Sequence, residues 1–237
     1  MARKPTPLYI IGKIIKLLGL LLLTFIFGLL FWRICISTII PREIKRLAVN
    51  DSLVAAYEAN DGELEMFRQD IPGISRDKSN SGYFSVEDYV IIPEADQVQV
   101  IFRYNNSTIE RLAEDFRLSE VPGRETEIFE LSLVKTKAPA DTGSGSGDDT
   151  ANGQAEQRYF VSEVISSSTL LYNYRRVVFE GVGLDDAAGL SLEVYYIERV
   201  DYNNNPIGRF KLYRSGDENV KVKLSGADKR ALEEAAG

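Results

Sequence analysis

The hydrophobic and polar positions along this 237-residue chain begin with a continuous apolar run. Residues 17–32 form sixteen positions without a charge, and 34–40 extend the run if Arg33 is tolerated near one end. Crossing the hydrocarbon of a bilayer takes roughly 20 residues in a helix. Trp32 and Arg33 suit the interface between lipid and water, and Pro41 gives a natural stop. The run therefore predicts a transmembrane helix over 17–40.

The apolar run has two other interpretations. A helix in a protein core is seldom as long or as uniformly apolar. A cleaved signal peptide would share the basic start and the apolar centre, but its apolar region usually spans about 7–15 residues. Only Cys35 and Ser37 offer small residues at the spacing of a cleavage site. A permanent anchor is favoured, and whether the segment is cleaved stays open.

Basic residues flank the apolar run on both sides. Those before it are Arg3, Lys4, Lys13 and Lys16, and those shortly after it are Arg42, Lys45 and Arg46. Cytoplasmic flanks carry the excess of Lys and Arg. The count favours a short basic cytoplasmic tail over 1–16 and an extracytoplasmic position for the remainder.

Beyond residue 83, hydrophobic residues recur at every second position. This alternation is typical of half-buried antiparallel strands. Val98, Val100 and Phe102 alternate with more polar neighbours, for example. Alternating segments lie at 83–92, 98–104, 129–134, from Tyr159 onward, and at 170–180, 190–196 and 210–212. The pattern predicts an all-β soluble domain over 83–214, an Ig-like β-sandwich of about seven antiparallel strands.

The connecting segments carry their own local signals. In 41–82, predicted as a helical stalk and loop, Asn50-Asp51-Ser52 caps a helix over 53–59, and Asn60-Asp61-Gly62 ends it. A second helix over Thr108–Phe116 is expected to cross between sheets. The small, acidic stretch 141–157 predicts a flexible insertion within the domain, which is favoured over a linker between two domains. The C-terminal tail, 215–237, predicts a frayed helix capped at Ser225.

Charge divides sharply along the chain. All 35 acidic residues lie beyond residue 40, together with 23 of the 28 basic ones, so that part carries a net charge of −12. An acidic body is a poor nucleic-acid binder, because phosphate contacts need clustered Lys and Arg. It is also repelled by anionic lipid, and we expect it to stand off the membrane surface.

The amino-acid composition excludes several kinds of catalytic and metal site. The chain has no histidine, and its one cysteine is Cys35, so intramolecular disulfides, Cys/His zinc sites and Ser-His-Asp or Cys-His catalysis are excluded. Three weaker motifs favour a structural interpretation: the S-x-x-K sequence at 75–78, the adjacent acids Glu114-Asp115 and Asp185-Asp186, and the calcium-like stretch 201–205. No catalytic residue, metal ligand or cofactor site is predicted.

Tyrosine is the one residue type whose abundance suggests a binding role, and eleven of the twelve tyrosines lie beyond residue 40. Amphipathic rings on a sheet face bind glycans or proteins. The predicted binding face consists of Tyr172, Tyr174, Tyr195 and Tyr202. The alternative is that Tyr196 faces the core while Tyr195 lies across the pleat, each with its hydroxyl at a wet rim.

Together these features predict a single-pass membrane protein with its C-terminal domain outside the cytoplasm. The expected function is a non-catalytic binding or interaction module of the cell envelope, an accessory subunit of a membrane assembly with a protein or glycan partner. The alternatives are a small envelope enzyme that works through carboxylates, and a cytoplasm-facing membrane scaffold if the topology is reversed.

Overall fold

The computed structural model describes residues 7–68, 84–123, 127–135, 157–183, 190–197, 206–212 and 220–237. The apolar run forms α1 (Pro7–Ser37), which at about 1.5 Å per residue is roughly 46 Å long. Its large apolar side chains are exposed, in contrast to a helix of a protein core. One helix near the N-terminus of the described chain is thus long and apolar enough to span a membrane.

The rest of the described chain is built on one antiparallel sheet. Its strands are β1 (Met66–Arg68), β2 (Ser85–Ile92), β3 (Gln97–Asn105), β4 (Phe129–Lys135), β5 (Gln157–Ser168), β6 (Tyr172–Glu180), β7 (Leu190–Tyr196), β8 (Gly208–Lys211) and β9 (Val220–Val222). They are ordered β8-β7-β4-β5-β6-β3-β2-β1-β9. The all-β domain behind one apolar helix is confirmed in this form, and β1 and β9 add two strands to the predicted seven.

The long strand β5 curls the sheet, because its two ends have different partners. Gln157 to Phe160 pair with β4, whereas Val161 to Ser168 pair with β6, with a register shift between Val161 and Glu163. The two halves of the sheet bury their inner faces in one core, which includes Val98, Val100, Phe102, Val177 and Phe179 from one half and Leu131, Leu133, Leu192, Val194 and Phe210 from the other. The Ig-like sandwich is not confirmed, since β5 joins both halves into one hydrogen-bonded sheet.

The predicted second helix is α4 (Asn106–Asp115), between β3 in one half of the sheet and β4 in the other. The Asn105 side chain accepts a hydrogen bond from the Thr108 amide, 2.9 Å away, and so caps the helix. Ile109 and Leu112 are buried in the main core. A local cap and an amphipathic face therefore place this helix as predicted.

A second layer covers the outer face of β1, β2, β3 and β6. It consists of α2 (Arg42–Lys45), α3 (Asp51–Ala59) and α5 (Gly226–Ala236). Ile44 packs against Ile101 and Tyr174, and Leu53 packs in a separate cluster with Leu232. The helical part of the predicted stalk thus lies against the sheet, and α5 is docked rather than frayed.

Candidate functional site: the junction between the apolar helix and the sheet

The end of α1 is hydrogen-bonded to the hairpin formed by β5 and β6. The Thr169 hydroxyl donates to the Ser37 carbonyl over 3.0 Å, and the Tyr174 hydroxyl donates to the Thr38 carbonyl over 3.3 Å. Ser37 is buried although the helix before it is exposed. Because carbonyls in the last turn of a helix lack partners within the helix, these hydroxyls satisfy groups that would otherwise need water.

Arg176 binds the short helix that follows. This side chain is buried on the outer face of β6 and donates to three neutral oxygens: the Ile44 carbonyl at 2.7 Å, the Lys45 carbonyl at 3.1 Å and Gln99 Oε1 at 2.8 Å. Desolvation lowers the pKa of Arg176 to about 10. The guanidinium therefore remains charged at neutral pH, and it joins the last carbonyls of α2 to the centre of the sheet.

The Gln99 side chain binds the backbone of Ala48 through two hydrogen bonds, as a neighbouring strand would. Its Oε1 accepts from the Ala48 amide and its Nε2 donates to the Ala48 carbonyl, each over 2.9 Å. Gln99 and Ala48 are both fully buried. A buried backbone amide and carbonyl without partners would be destabilising, so this one side chain makes the burial of residue 48 possible.

The start of α3 is fixed by the ends of β3 and β6. Asn50 caps the helix by accepting from the Leu53 amide at 3.1 Å, and Gln97 Nε2 donates to the same Asn50 oxygen at 3.1 Å. Glu180 accepts from Asn50 Nδ2 at 2.7 Å and from the Ser52 hydroxyl at 2.9 Å. The predicted cap is therefore confirmed, and it is also bound to the sheet.

The C-terminal helix holds the junction from the other side. Ser225 caps α5 by accepting from the Asp228 amide at 3.1 Å, and Asp228 in turn accepts from the Leu47 amide at 2.9 Å. Leu232 is fully buried in the cluster that contains Leu53. Chain segments about 180 residues apart thus enclose residues 47–53 between α5 and the sheet.

The predicted tyrosine face is not assembled as a surface. Tyr174 is fully buried in the junction, and Tyr172 is half-buried beneath Arg103, whose guanidinium carbon lies 4.4 Å from the ring centroid. Tyr195 is buried in a different cluster on β7. Tyr202 lies outside the described residues. Tyr174 and Tyr195 are therefore interior side chains in the described part of the chain.

The cluster around Tyr195 is a buried polar network on the outer face of β4 and β7. Glu193 is almost fully buried and accepts from the Tyr195 hydroxyl at 2.6 Å, from Arg158 Nη1 at 2.8 Å and from Arg209. Arg158 also donates to the Ser132 hydroxyl at 2.7 Å. Burial raises the pKa of Glu193, but the hydrogen bonds from Tyr195 and Arg158 and the charge of Arg209 outweigh it, so the net pKa is lowered.

This network keeps Glu193 ionised. Burial and the bond to the Glu193 carboxylate raise the pKa of Tyr195 to about 12, so its hydroxyl stays protonated. A general acid at neutral pH needs a raised carboxyl pKa, and Glu193 has the opposite shift. The arrangement is suited to holding β4, β5, β7 and β8 together.

The weaker motifs of the sequence contribute nothing to this junction. Glu114 and Asp115 end α4. The S-x-x-K stretch at 75–78, the acid pair at 185–186 and the calcium-like stretch 201–205 lie outside the described residues, as do positions 141–156 of the predicted insertion. No group of three potential metal ligands occurs within the described ranges.

Sequence reasoning missed three residues that are central to the junction. Gln97, Gln99 and Arg176 occupy outward positions of strands whose other face is apolar, a pattern that ordinarily indicates contact with solvent. The available signal was a stretch of apolar positions outside any strand, Ile44, Ala48 and Leu53, which a free stalk would not require.

Comparison with known proteins gives no relative: no family model, no curated protein and no solved structure matches this chain.

Proposed function

We propose that this protein is a single-pass, membrane-anchored, non-catalytic interaction module of the cell envelope, with its β domain outside the cytoplasm and held in a fixed position relative to the bilayer. The observation that carries the proposal is the junction. The chain leaves α1 at Ser37 and is hydrogen-bonded to side chains of the β5–β6 turn, β6, β3 and α5 before it reaches α3.

A fixed junction suits a module that meets a partner in the same membrane. A flexible linker would let the domain rotate and sample many heights above the bilayer. Here buried Arg176 and Gln99 bind backbone atoms of Ile44, Lys45 and Ala48, so the sheet and the end of α1 keep one relative arrangement. Pre-organisation lowers the entropic cost of association, which favours an accessory subunit of a membrane assembly.

A non-catalytic role is supported by the chemistry of the sequence and the site. The chain has no histidine. The most buried carboxylate of the β7 cluster, Glu193, is bound by two arginines and a tyrosine. The rival proposal is a small envelope enzyme that uses two convergent carboxylates. Turnover by the purified protein on a broad panel of glycoside, ester and peptide substrates would favour that rival.

Anchoring is tested by extraction of membranes with alkaline carbonate. We expect the wild-type chain to stay in the membrane pellet. Replacing Leu22 and Leu23 together by Arg places two charges in the middle of α1, each disfavouring insertion by about 2.5–3.5 kcal/mol. That variant should appear in the soluble or aggregated fraction, whereas the matched Leu22→Ala/Leu23→Ala variant should remain in the pellet. Extraction of the wild-type chain by carbonate would overturn the proposal.

Sidedness is tested with an epitope placed within 141–157 and protease added to intact or wall-stripped cells. Cleavage before lysis is the expected result. Protection until lysis would reverse the topology and make a cytoplasm-facing membrane scaffold the leading proposal.

A further inference from the structure

The β5–β6 hairpin reaches alongside the apolar helix, not only to its end. A tight turn closes the hairpin, with the Thr169 amide donating to the Tyr172 carbonyl over 2.8 Å. The Thr169 hydroxyl holds the turn to the Ser37 carbonyl. Leu170 and Leu171 form the tip of this hairpin, and Leu170 is 44% exposed. Two leucines at an exposed turn are unusual for a surface in contact only with water.

A groove of about 780 Å³ separates the hairpin tip from one face of α1. Leu29, Trp32 and Ile36 line the helix side, and Thr169 and Leu170 line the hairpin side. The three helix residues recur at intervals of three and four, so they lie on one face. All three are more than 45% exposed. The groove, which Arg33, Ser37 and Ser168 also line, therefore has apolar side chains on both sides and opens next to the helix proposed to lie in lipid.

Position along the helix places this cleft at the edge of the hydrocarbon. Leu29 precedes Ser37 by eight residues, which corresponds to about 12 Å along the axis. The twenty residues from 17 to 36 span about 30 Å, the thickness of the hydrocarbon core. Trp32 and Arg33 carry the side chains that mark the boundary between acyl chains and headgroups. A hairpin tip that lines the same groove as this part of α1 lies at the same depth.

We propose that the tip of the β5–β6 hairpin, Leu170 and Leu171, inserts into the headgroup–acyl boundary of the bilayer that α1 spans. The occupant of the groove is then phospholipid. This inference rests on the proposed anchoring, and it adds a second lipid contact that orients the β domain on the membrane.

The charge distribution fits a lipid contact at this end of the domain. Residues 165–173, which include the tip, carry no charge. Arg33 lines the groove, and Arg42, Lys45 and Arg46 follow within the junction. Although the part beyond residue 40 carries a net charge of −12, the tip itself is neutral, and the four cations near it outnumber Glu43 and Glu127, which accept hydrogen bonds from the Ser167 and Ser166 hydroxyls. The repulsion expected between the body and anionic lipid therefore does not apply to the tip.

The test uses a single environment-sensitive fluorophore on the full chain in phosphatidylcholine vesicles. Cys35→Ser removes the only cysteine, and Leu170→Cys, Ser162→Cys or Leu22→Cys then provides one labelling site. Ser162 is exposed on β5, the strand that leads to the tip, eight positions and about 26 Å from Leu170. Quenching is measured with lipids that carry a nitroxide at carbon 5 or at carbon 12 of the acyl chain.

We expect the label at 170 to lose at least half its emission, with the carbon-5 quencher acting more strongly than the carbon-12 quencher. The label at 162 should be unaffected by either lipid. A quenched label at 22 with an unquenched label at 170 would overturn the hairpin proposal and leave the anchor intact. An unquenched label at 22 would overturn the anchor, and with it the hairpin proposal.

Discussion

The Arg176 guanidinium donates to the Ile44 carbonyl over 2.7 Å, and this contact joins the centre of the sheet to the segment that leaves the apolar helix. A buried cation bound to neutral oxygens is an uncommon arrangement, because its desolvation is not offset by an opposite charge in contact. The burial is tolerated since Ile44, Lys45 and Gln99 each accept a hydrogen bond from one of its three nitrogens. Arg176 is therefore one of the side chains on which the strength of the junction depends.

Replacing Arg176 by Met should weaken the junction. The substitution keeps an unbranched apolar stem but leaves the carbonyls of Ile44 and Lys45 without their buried donor, so we expect the free energy of unfolding to fall by about 1–3 kcal/mol. Chemical unfolding of the full chain in detergent micelles measures the change. Arg46→Met, at an exposed position of the same segment, is the matched control and should change stability by less than about 0.5 kcal/mol. Equal losses in both variants would contradict a special role for Arg176.

Gln99→Leu tests the paired contact with Ala48. The substitution removes both side-chain bonds to the Ala48 backbone, so local opening of this segment should become more favourable by about 1 kcal/mol, which corresponds to roughly fivefold faster exchange of the Ala48 amide. Hydrogen exchange read by NMR measures the rate. The amide of Val54, bound to the Asn50 carbonyl, serves as an internal reference, and Gln157→Leu at an exposed position is the control variant. Unchanged exchange at Ala48 would show that Gln99 does not protect it.

The strands and helix caps were predictable because their signals are local. Val98, Val100 and Phe102 face one core at every second position, and the period of two identifies such a strand without knowledge of its partners. Asn50 and Ser225 cap helices through bonds to amides three residues further along the chain. Signals of this kind depend only on residues that are close together in the sequence, so they can be recognised without the structure.

The junction was not predictable, because its contacts join residues that are far apart in the sequence. Arg176 and Gln99 bind backbone atoms 132 and 51 residues away, and a carbonyl or amide leaves no mark in the sequence of the residue that carries it. Polar residues opposite an apolar face resemble a solvated surface whether or not another layer covers them. The same ambiguity placed Tyr174 and Tyr195 on a predicted surface, although both rings are buried.

Docking of α5 predicts that the last helix stabilises the whole domain. Leu232 is fully buried against the cluster that contains Leu53, and replacing it by Ala removes three buried carbon atoms. We expect a loss of about 2–3 kcal/mol in the free energy of unfolding, near the lower end for such substitutions because a terminal helix can shift into the space left. Glu234→Ala, on the exposed side of the same helix, is the control and should be nearly neutral. A loss below about 0.5 kcal/mol for Leu232→Ala would indicate that α5 is frayed in solution, as the sequence alone suggested.

The Glu193 network predicts a dependence of stability on pH. The folded protein lowers the pKa of Glu193 because the bonds from Tyr195 and Arg158 and the charge of Arg209 outweigh desolvation. A carboxylate with a lowered folded-state pKa contributes stability that is fully present above its ordinary value of 4.5 and is lost as the pH falls through the folded-state value. Glu193→Gln should therefore be less stable than wild type at pH 7, by on the order of 2 kcal/mol. The difference in the free energy of unfolding should shrink steadily below pH 4.5.

Unfolding curves at several pH values measure this difference, with Glu58→Gln at an exposed position as the control variant. A Glu193→Gln deficit that stays constant with pH would show that the charge of Glu193 is not what stabilises the network.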